Sequence, residues 1–318
     1  MPFYGKGFFM NKKQYADMLK DIFMVHKQSG DVAACIAKYN ELYKYVYVYN
    51  DAIIKLLLGT PENESITVDF LNAALHLYGS DCIEHISFVN PETPAAFNKS
   101  STSDIVVTDQ RLDRIVLEVQ HVEDETFNDR LVFYAAKHTV ANLVRGQGYN
   151  LRSLNLISLQ MFDAFPESEN YVHTVRLKNQ ENEVFYKKQA ITLVEVPKFL
   201  KDGYSSDSSR LAEWLRVFDG LNKESPVPVP ADSQFALLQE HARLSKFTAD
   251  FLVSEAMKMS DHDYELYVEK KHARAEGLAE GRAEGRAEGA EDRGRKMAEF
   301  LRAKGISEEI IAEALAQK

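Results

Sequence analysis

Two carboxylates and an amide are the groups in this sequence whose types and spacing suit a reaction. The stretch Ser103–Gln120 reads Ser-Asp-Ile-Val-Val-Thr-Asp-Gln-Arg-Leu-Asp-Arg-Ile-Val-Leu-Glu-Val-Gln. Two apolar strand-like runs, Asp104–Thr108 and Arg114–Gln120, flank a polar turn over Asp109–Asp113, which predicts a β-hairpin with a slightly long connection. Side chains alternate along a strand, so Glu118 and Gln120 share a face. Glu118 lies within the apolar run Ile115-Val-Leu-Glu-Val, where an uncompensated carboxylate costs several kcal/mol. Asp104, on the neighbouring strand, could stand beside it. Converging carboxylates repel unless a proton or a cation lies between them. A hard cation with oxygen ligands, Mg²⁺ or Mn²⁺, answers both demands. That arrangement serves metal-assisted phosphodiester cleavage. Gln120 could orient water or phosphate from the same face, but it brings no positive charge. The spacing also permits a plainer reading, in which Asp104 opens its strand after a turn and Glu118 pairs with an arginine.

Other residues sit near enough in sequence to take part. Arg130, Tyr134 and Lys137 fall at i, i+4 and i+7 on one helix face and could hold a phosphate backbone. An ion pair from Arg130 to Glu118 or Glu123 is the alternative. His121 points away from Gln120, as a structural histidine would. Tyr43, Tyr45, Tyr47 and Tyr49 alternate with Lys44, Val46 and Val48 and suit either a packing face or a base-stacking platform.

The elements that must position these groups follow from periodicity and punctuation. Residues 1–45 read as a helical hairpin, with Asn11 and Asp31 as helix starts and Ser29-Gly30 between. Asn50-Asp51 can cap a short helix, Ala52–Leu58, and Pro61 opens another that ends near Gly79. Strands are expected at Ile83–Asn90, in the hairpin, and at Asn155–Phe162, Tyr171–Asn179 and Ala190–Val196. A helix, Asp129–Val144, lies between them. Pro197 ends the last strand. Helices follow at Leu211–Leu221, Gln234–Lys258 and Tyr264–Arg274, with a stiff Pro226–Pro230 linker between the first two. Ala275–Ala290 repeats Ala-Glu-Gly-x, stacking Glu276, Glu280, Glu284 and Glu288 on one row and glycines on another. Repelling glutamates and interior glycines leave an isolated helix there marginal, while the glycine row permits close approach of a second copy. The expected division is 1–45, 46–200, 201–274 and 275–318.

With 318 residues and 45% hydrophobic content, the chain can bury a sizeable core, which excludes global disorder. It contains no apolar run of about 18 residues, so no membrane span is expected. Its first residues lack a secretory apolar region, which points to the cytoplasm. Cys35 and Cys82 suit small buried hydrophobes rather than a disulfide scaffold. A net charge of −10 argues against a general basic coat for nucleic acid but allows a local groove.

Asp104, Glu118 and Gln120 in a strand hairpin resemble the PD-(D/E)XK nuclease core in its E-x-Q form. More narrowly, the chain resembles the Rpn recombination-promoting nucleases, or PD-(D/E)XK nuclease family transposases. The ordered matches are Asn50-Asp-Ala-Ile-Ile-Lys-Leu-Leu-Leu-Gly59, Asp69-Phe-Leu-Asn72, Ser103-Asp-Ile-Val-Val, Leu117-Glu-Val-Gln120, Phe127–Tyr134 with Lys137, and Gly148-Tyr149. Glu195-Val-Pro-Lys-Phe199, Trp214-Leu215 and the Ala-Glu-Gly-Arg tail complete the series. The resemblance spans roughly residues 46 to 318 and leaves the first 45 unmatched. It departs at Ala52-Ile-Ile-Lys55, where a phenylalanine is usual. It implies a restriction-endonuclease-like α/β fold, with an αβββαβ core and helical extensions at both ends. It also implies a Mg²⁺-dependent DNA endonuclease linked to recombination or mobile elements. Asp104 and Glu118 would ligate metal, Gln120 would replace the usual lysine, and Asp51 could be an additional acid unless it merely caps its helix. A catalytically silent DNA- or protein-binding module is the rival. Self-association through the C-terminal tail is the further expectation.

Overall fold

The computed structural model describes residues 9–89, 105–121, 126–141, 150–201, 206–258 and 296–298. Asp104, the loop expected at 91–99, the Tyr264–Arg274 helix and the Ala275–Ala290 repeat lie outside the described residues. The chain divides into two units, Met1–Ala256 and Met257–Lys318, and the elements below belong to the first, apart from the last two residues of the helix over 249–258.

Side-chain caps set the early helix starts by satisfying first-turn N–H groups that have no partner inside the helix. Asn11 accepts from the N–H groups of Lys13 and Gln14 at 2.9 and 3.1 Å and opens α1, Lys12–Lys27. Asp31 accepts from Ala34 at 2.9 Å and opens α2, Val32–Leu42. Asn50 accepts from Ile53 at 3.2 Å and opens α3, Asp51–Leu58. The capping role weighed for Asp51 therefore belongs to Asn50. Asp51 is the first helical residue, 3.8 Å from Lys55 one turn later. The next helix starts as a 3-10 turn, Pro61–Asn63, and continues as α4, Glu64–Leu75. It stops at His76 in the left-handed region (φ 52°), before Gly79.

Six strands follow: β1 (Ile86–Phe88), β2 (Ile105–Asp109), β3 (Arg114–Gln120), β4 (Leu154–Gln160), β5 (Val172–Val175) and β6 (Gln189–Glu195). They form one mixed sheet in the order β1-β2-β3-β4-β6-β5. β3, β4 and β6 run parallel at its centre, and the outer strands pair antiparallel. Parallel neighbours need a long crossover, and α5, Phe127–Ala141, lies in the one between β3 and β4. This is the restriction-endonuclease-like α/β fold.

Three expected elements are shorter or broken, each for a visible reason. The strand expected from Ile83 begins only at Ile86. Asn72 clamps the backbone of Ile83 instead, donating to its carbonyl at 2.9 Å and accepting from its N–H at 2.8 Å. The strand expected over Tyr171–Asn179 leaves the sheet after Val175 and folds back on itself. Phe185 donates to the Leu177 carbonyl, and Asn182 takes φ 64° in the turn. The helix expected over Gln234–Lys258 is α8, Gln234–His241, then a 3-10 turn at Leu244–Lys246, then a helix over 249–258. It breaks because Ala242 accepts from Val46 and Leu244 donates to Lys44.

Each face of the sheet has its own core. On one, Val106, Val116, Leu154, Leu156 and Leu193 pack under Phe127, Leu131 and Ala135 of α5. Burying each large side chain there contributes roughly 1.5–3 kcal/mol. α3 lies over the other face, since a Cβ on Gly59 would stand 3.1 Å from Ile105, the neighbour of Val106. It would also meet the Lys55 carbonyl at 2.5 Å, so only glycine fits that approach. On the same side α4 meets α7 (Arg210–Asn222) and α8 through an aromatic cluster, while α6 (Val196–Lys201) packs against α7 and β4. Trp214 stands edge-on to Phe70 at 5.4 Å and to Phe235 at 4.9 Å, and Phe218 bridges to Tyr49 at 5.9 Å. Tyr43, Tyr45 and Tyr49 are buried and Tyr47 half-buried. The strip is a packing face, and with its rings covered it cannot stack bases.

Candidate active site

Strand register decides which polar groups meet. β3 and β4 pair Val116 with Leu156, Glu118 with Ser158 and Gln120 with Gln160. β4 and β6 pair Ser158 with Leu193 and Gln160 with Glu195. Val116, Leu156 and Leu193 belong to the core beneath α5, so the residues that alternate with them to the same side face α5 too. That face is apolar along most of its length. It turns polar at the carboxyl ends of the three parallel strands, with Glu118 and Gln120, Ser158 and Gln160, and Glu195.

Glu118 is 2% exposed, inside the apolar run that suggested a desolvated carboxylate. Gln120, half-buried two residues on, accepts from an Arg130 guanidinium N–H at 3.1 Å. The charge that Gln120 itself cannot supply thus reaches it from α5. Val132, Ala136, Thr139 and Val140 of α5 face a groove toward β5 and β6. Arg130, Tyr134 and Lys137 occupy the opposite flank, toward β3. Tyr134 packs on the core and Lys137 is buried, at 4% exposure.

The other candidates separate. Asp51 belongs to α3, on the far face of the sheet, and the described geometry does not bring it to the α5 side. Asp104 lies outside the described residues; β2 begins with Ile105, paired with Leu117. His121 follows β3 on the far side near Tyr49 and Lys12. Burial first, then the Lys12 charge, lowers its pKa to about 4, so it is neutral near pH 7. Its structural reading fits this setting.

The sequence reading singled out neither Ser158 nor Gln160, both 0% exposed, nor the ion pair beside them. Glu195, also 0% exposed, lies 2.6 Å from Lys198 and accepts from the Phe165 N–H at 3.1 Å. Lys198 donates to the Phe165 carbonyl at 2.5 Å, and His173 stands 3.6 Å from Glu195. These contacts tie the chain after β4 to the end of β6. The alternation Leu154, Leu156, Ser158, Gln160 does show a face changing from apolar to polar. Only the register shows that this face adjoins Glu118.

Among the described residues no three or more His, Cys, Asp or Glu side chains group to hold a metal ion. The donor set near Glu118 nevertheless suits a hard cation, because it consists of carboxylate, amide and hydroxyl oxygens. Ser158 Oγ and both amide atoms of Gln160 are buried without a hydrogen-bond partner among the described residues, as groups awaiting a hydrated ion would be.

A mixed α/β sheet of this order, with Glu118 and Gln120 two residues apart on a central strand, is consistent with the PD-(D/E)XK class of nuclease folds. A sequence profile of the PD-(D/E)XK nuclease family transposases matches residues 48–277, and the chain belongs to that family. Comparison with curated proteins and with solved structures gave no match. The family is of nuclease type, and its wider class generally uses divalent metal ions and acts on DNA.

Proposed function

We propose that the protein is a Mg²⁺-dependent DNA endonuclease that hydrolyses phosphodiesters in recombination or in the movement of mobile elements. The observation that carries this reading is the buried Glu118 carboxylate on the same strand face as Gln120, itself held by Arg130. Glu118, together with Asp104, would hold Mg²⁺ or Mn²⁺. The bound ion would polarise the phosphate and lower the pKa of a coordinated water. Arg130 fixes the Gln120 carbonyl, which leaves the Gln120 amide N–H groups to orient water or a phosphate oxygen. Arg130 and Tyr134 would line the path of the backbone, with the Arg130 cation offsetting its charge, whereas Lys137, buried at 4% exposure, would reach a phosphate only if its surroundings opened. Asp51 would be an additional acid only if its helix shifted toward the strand ends. The cytoplasm and self-association through the C-terminal tail belong to the same proposal. No helix among the described residues is long and apolar enough to cross a membrane.

Nicking of supercoiled plasmid with and without Mg²⁺ tests the reading, with Glu118→Gln as the comparison. The amide keeps the shape but offers the metal a neutral oxygen, so cleavage should fall roughly 10²–10⁴-fold, about 3–5 kcal/mol in barrier. Equal Mg²⁺-dependent nicking by both proteins would place the active site elsewhere. Nicking by neither, across metals and substrates, would favour the silent binding module.

A further inference from the structure

β4 lies between the strand that carries Glu118 and the strand that ends in the Glu195–Lys198 pair. Its side beneath α5 ends in Ser158 and Gln160, in register with Glu118 and Gln120. Both are 0% exposed, and neither Ser158 Oγ nor Gln160 Oε1 nor Gln160 Nε2 has a hydrogen-bond partner among the described residues. Their neighbours are already engaged. The Gln120 carbonyl accepts from Arg130, and Glu195 accepts from Phe165 beside Lys198. A buried amide with nothing to bond is costlier than an apolar side chain of the same shape. At this position glutamine is the worse choice for stability unless a further partner completes it.

We propose that Gln160, with Ser158, is a positioning residue of the cation site, holding from β4 the water shell of an ion bound at Glu118. The proposal rests on the reading of Glu118 as a metal ligand. It extends the site from the β2–β3 hairpin to a third strand. An amide offers a donor and an acceptor on one head. It can therefore accept from a coordinated water while donating to another, which orients both. The Ser158 hydroxyl, in register with Glu118, can do the same for a water on the carboxylate side. Such outer-shell partners commonly contribute 10–100-fold in metal affinity.

Mn²⁺ binding to the full-length protein without DNA, followed by calorimetric titration, tests this. Gln160→Met keeps the side-chain length and removes the amide. It should unfold without metal at the wild-type temperature or above, and bind Mn²⁺ some 10–100-fold more weakly. Gln160→Asn, which withdraws the amide by one methylene, should also weaken binding and serves if the methionine variant fails to fold. Wild-type Mn²⁺ affinity in a folded Gln160 variant, with binding lost in Glu118→Gln, would overturn the role of Gln160 alone. Undiminished binding in Glu118→Gln, or none in wild type, would overturn the metal reading beneath it.

Discussion

Replacing Asp69 tests whether the Asp69-Phe-Leu-Asn72 segment is a structural device. One oxygen of Asp69 accepts from the Trp214 indole N–H at 2.9 Å, and Arg210 reaches both oxygens at 2.9–3.3 Å. Trp214 is 0% exposed at the centre of the aromatic cluster. Asp69→Ala leaves its N–H buried without that acceptor, at a cost of about 1–3 kcal/mol. The Arg210 side chain is 34% exposed and keeps Glu213 at 2.8 Å and the face of Phe235 at 4.1 Å. Loss of its screened ion pair should therefore cost only ~0–1 kcal/mol. The sum, centred on about 2.5 kcal/mol, corresponds to a fall in Tm of roughly 5–10 °C for a unit of this size. Asp69→Asn keeps an acceptor for the indole and gives up the charge, so it should lose only ~0–1 kcal/mol. Urea unfolding of both variants, with Asp69→Ala/Arg210→Ala to isolate the coupling, measures the two terms. An asparagine variant as unstable as the alanine one would refute the reasoning, because the ion pair would then dominate.

Two further outcomes follow from the same structure. Burial holds the His121 pKa at about 4, below the ordinary 6.5, so the unfolded chain takes up this proton first as pH falls. Stability should decline on acidification from about 6.5 to about 4, by on the order of 2–3 kcal/mol from this group. His121→Gln should flatten that part of a Tm–pH profile, and an unaltered slope would show that other groups control it. Lys198→Met strands the buried Glu195 carboxylate and should destabilise by about 3–5 kcal/mol. Pairing it with Glu195→Gln should restore most of the loss in chemical denaturation. If it does not, the interaction is not chiefly one between those two charges.

The local parts of this fold were legible in the sequence because their causes are local. Asn11, Asp31 and Asn50 open helices as their residue types require, and the Arg114–Gln120 run is a strand with Glu118 inward. What escaped the sequence depends on partners far along the chain. Ile83 reads as a strand residue, but Asn72 takes its backbone bonds. Gln234–Lys258 reads as one helix, but Lys44 and Val46 pair into its middle. Half of the candidate site was likewise unreadable. Ser158 and Gln160 matter only through a register with residues forty positions earlier, and no periodicity within β4 encodes that pairing.

The strip before α3 has a consequence for how the chain is made. Lys44 and Tyr45 donate to Glu224, Val48 to Asn222 and Val46 to Ala242, while Leu244 returns a bond to Lys44. Every one of these contacts joins residues 174 or more positions apart in the chain. At a synthesis rate of about 5–20 residues per second, the strip waits on the order of 10–40 s for its partners to be made. Through that interval Tyr45 lacks Glu224 and Arg243, and Tyr49 lacks Phe218. The strip is then a late closure that seals the first unit only when its far end emerges. A fragment beginning at residue 48 would lack the seal, and one ending before residue 222 would leave the strip's backbone N–H groups without their acceptors.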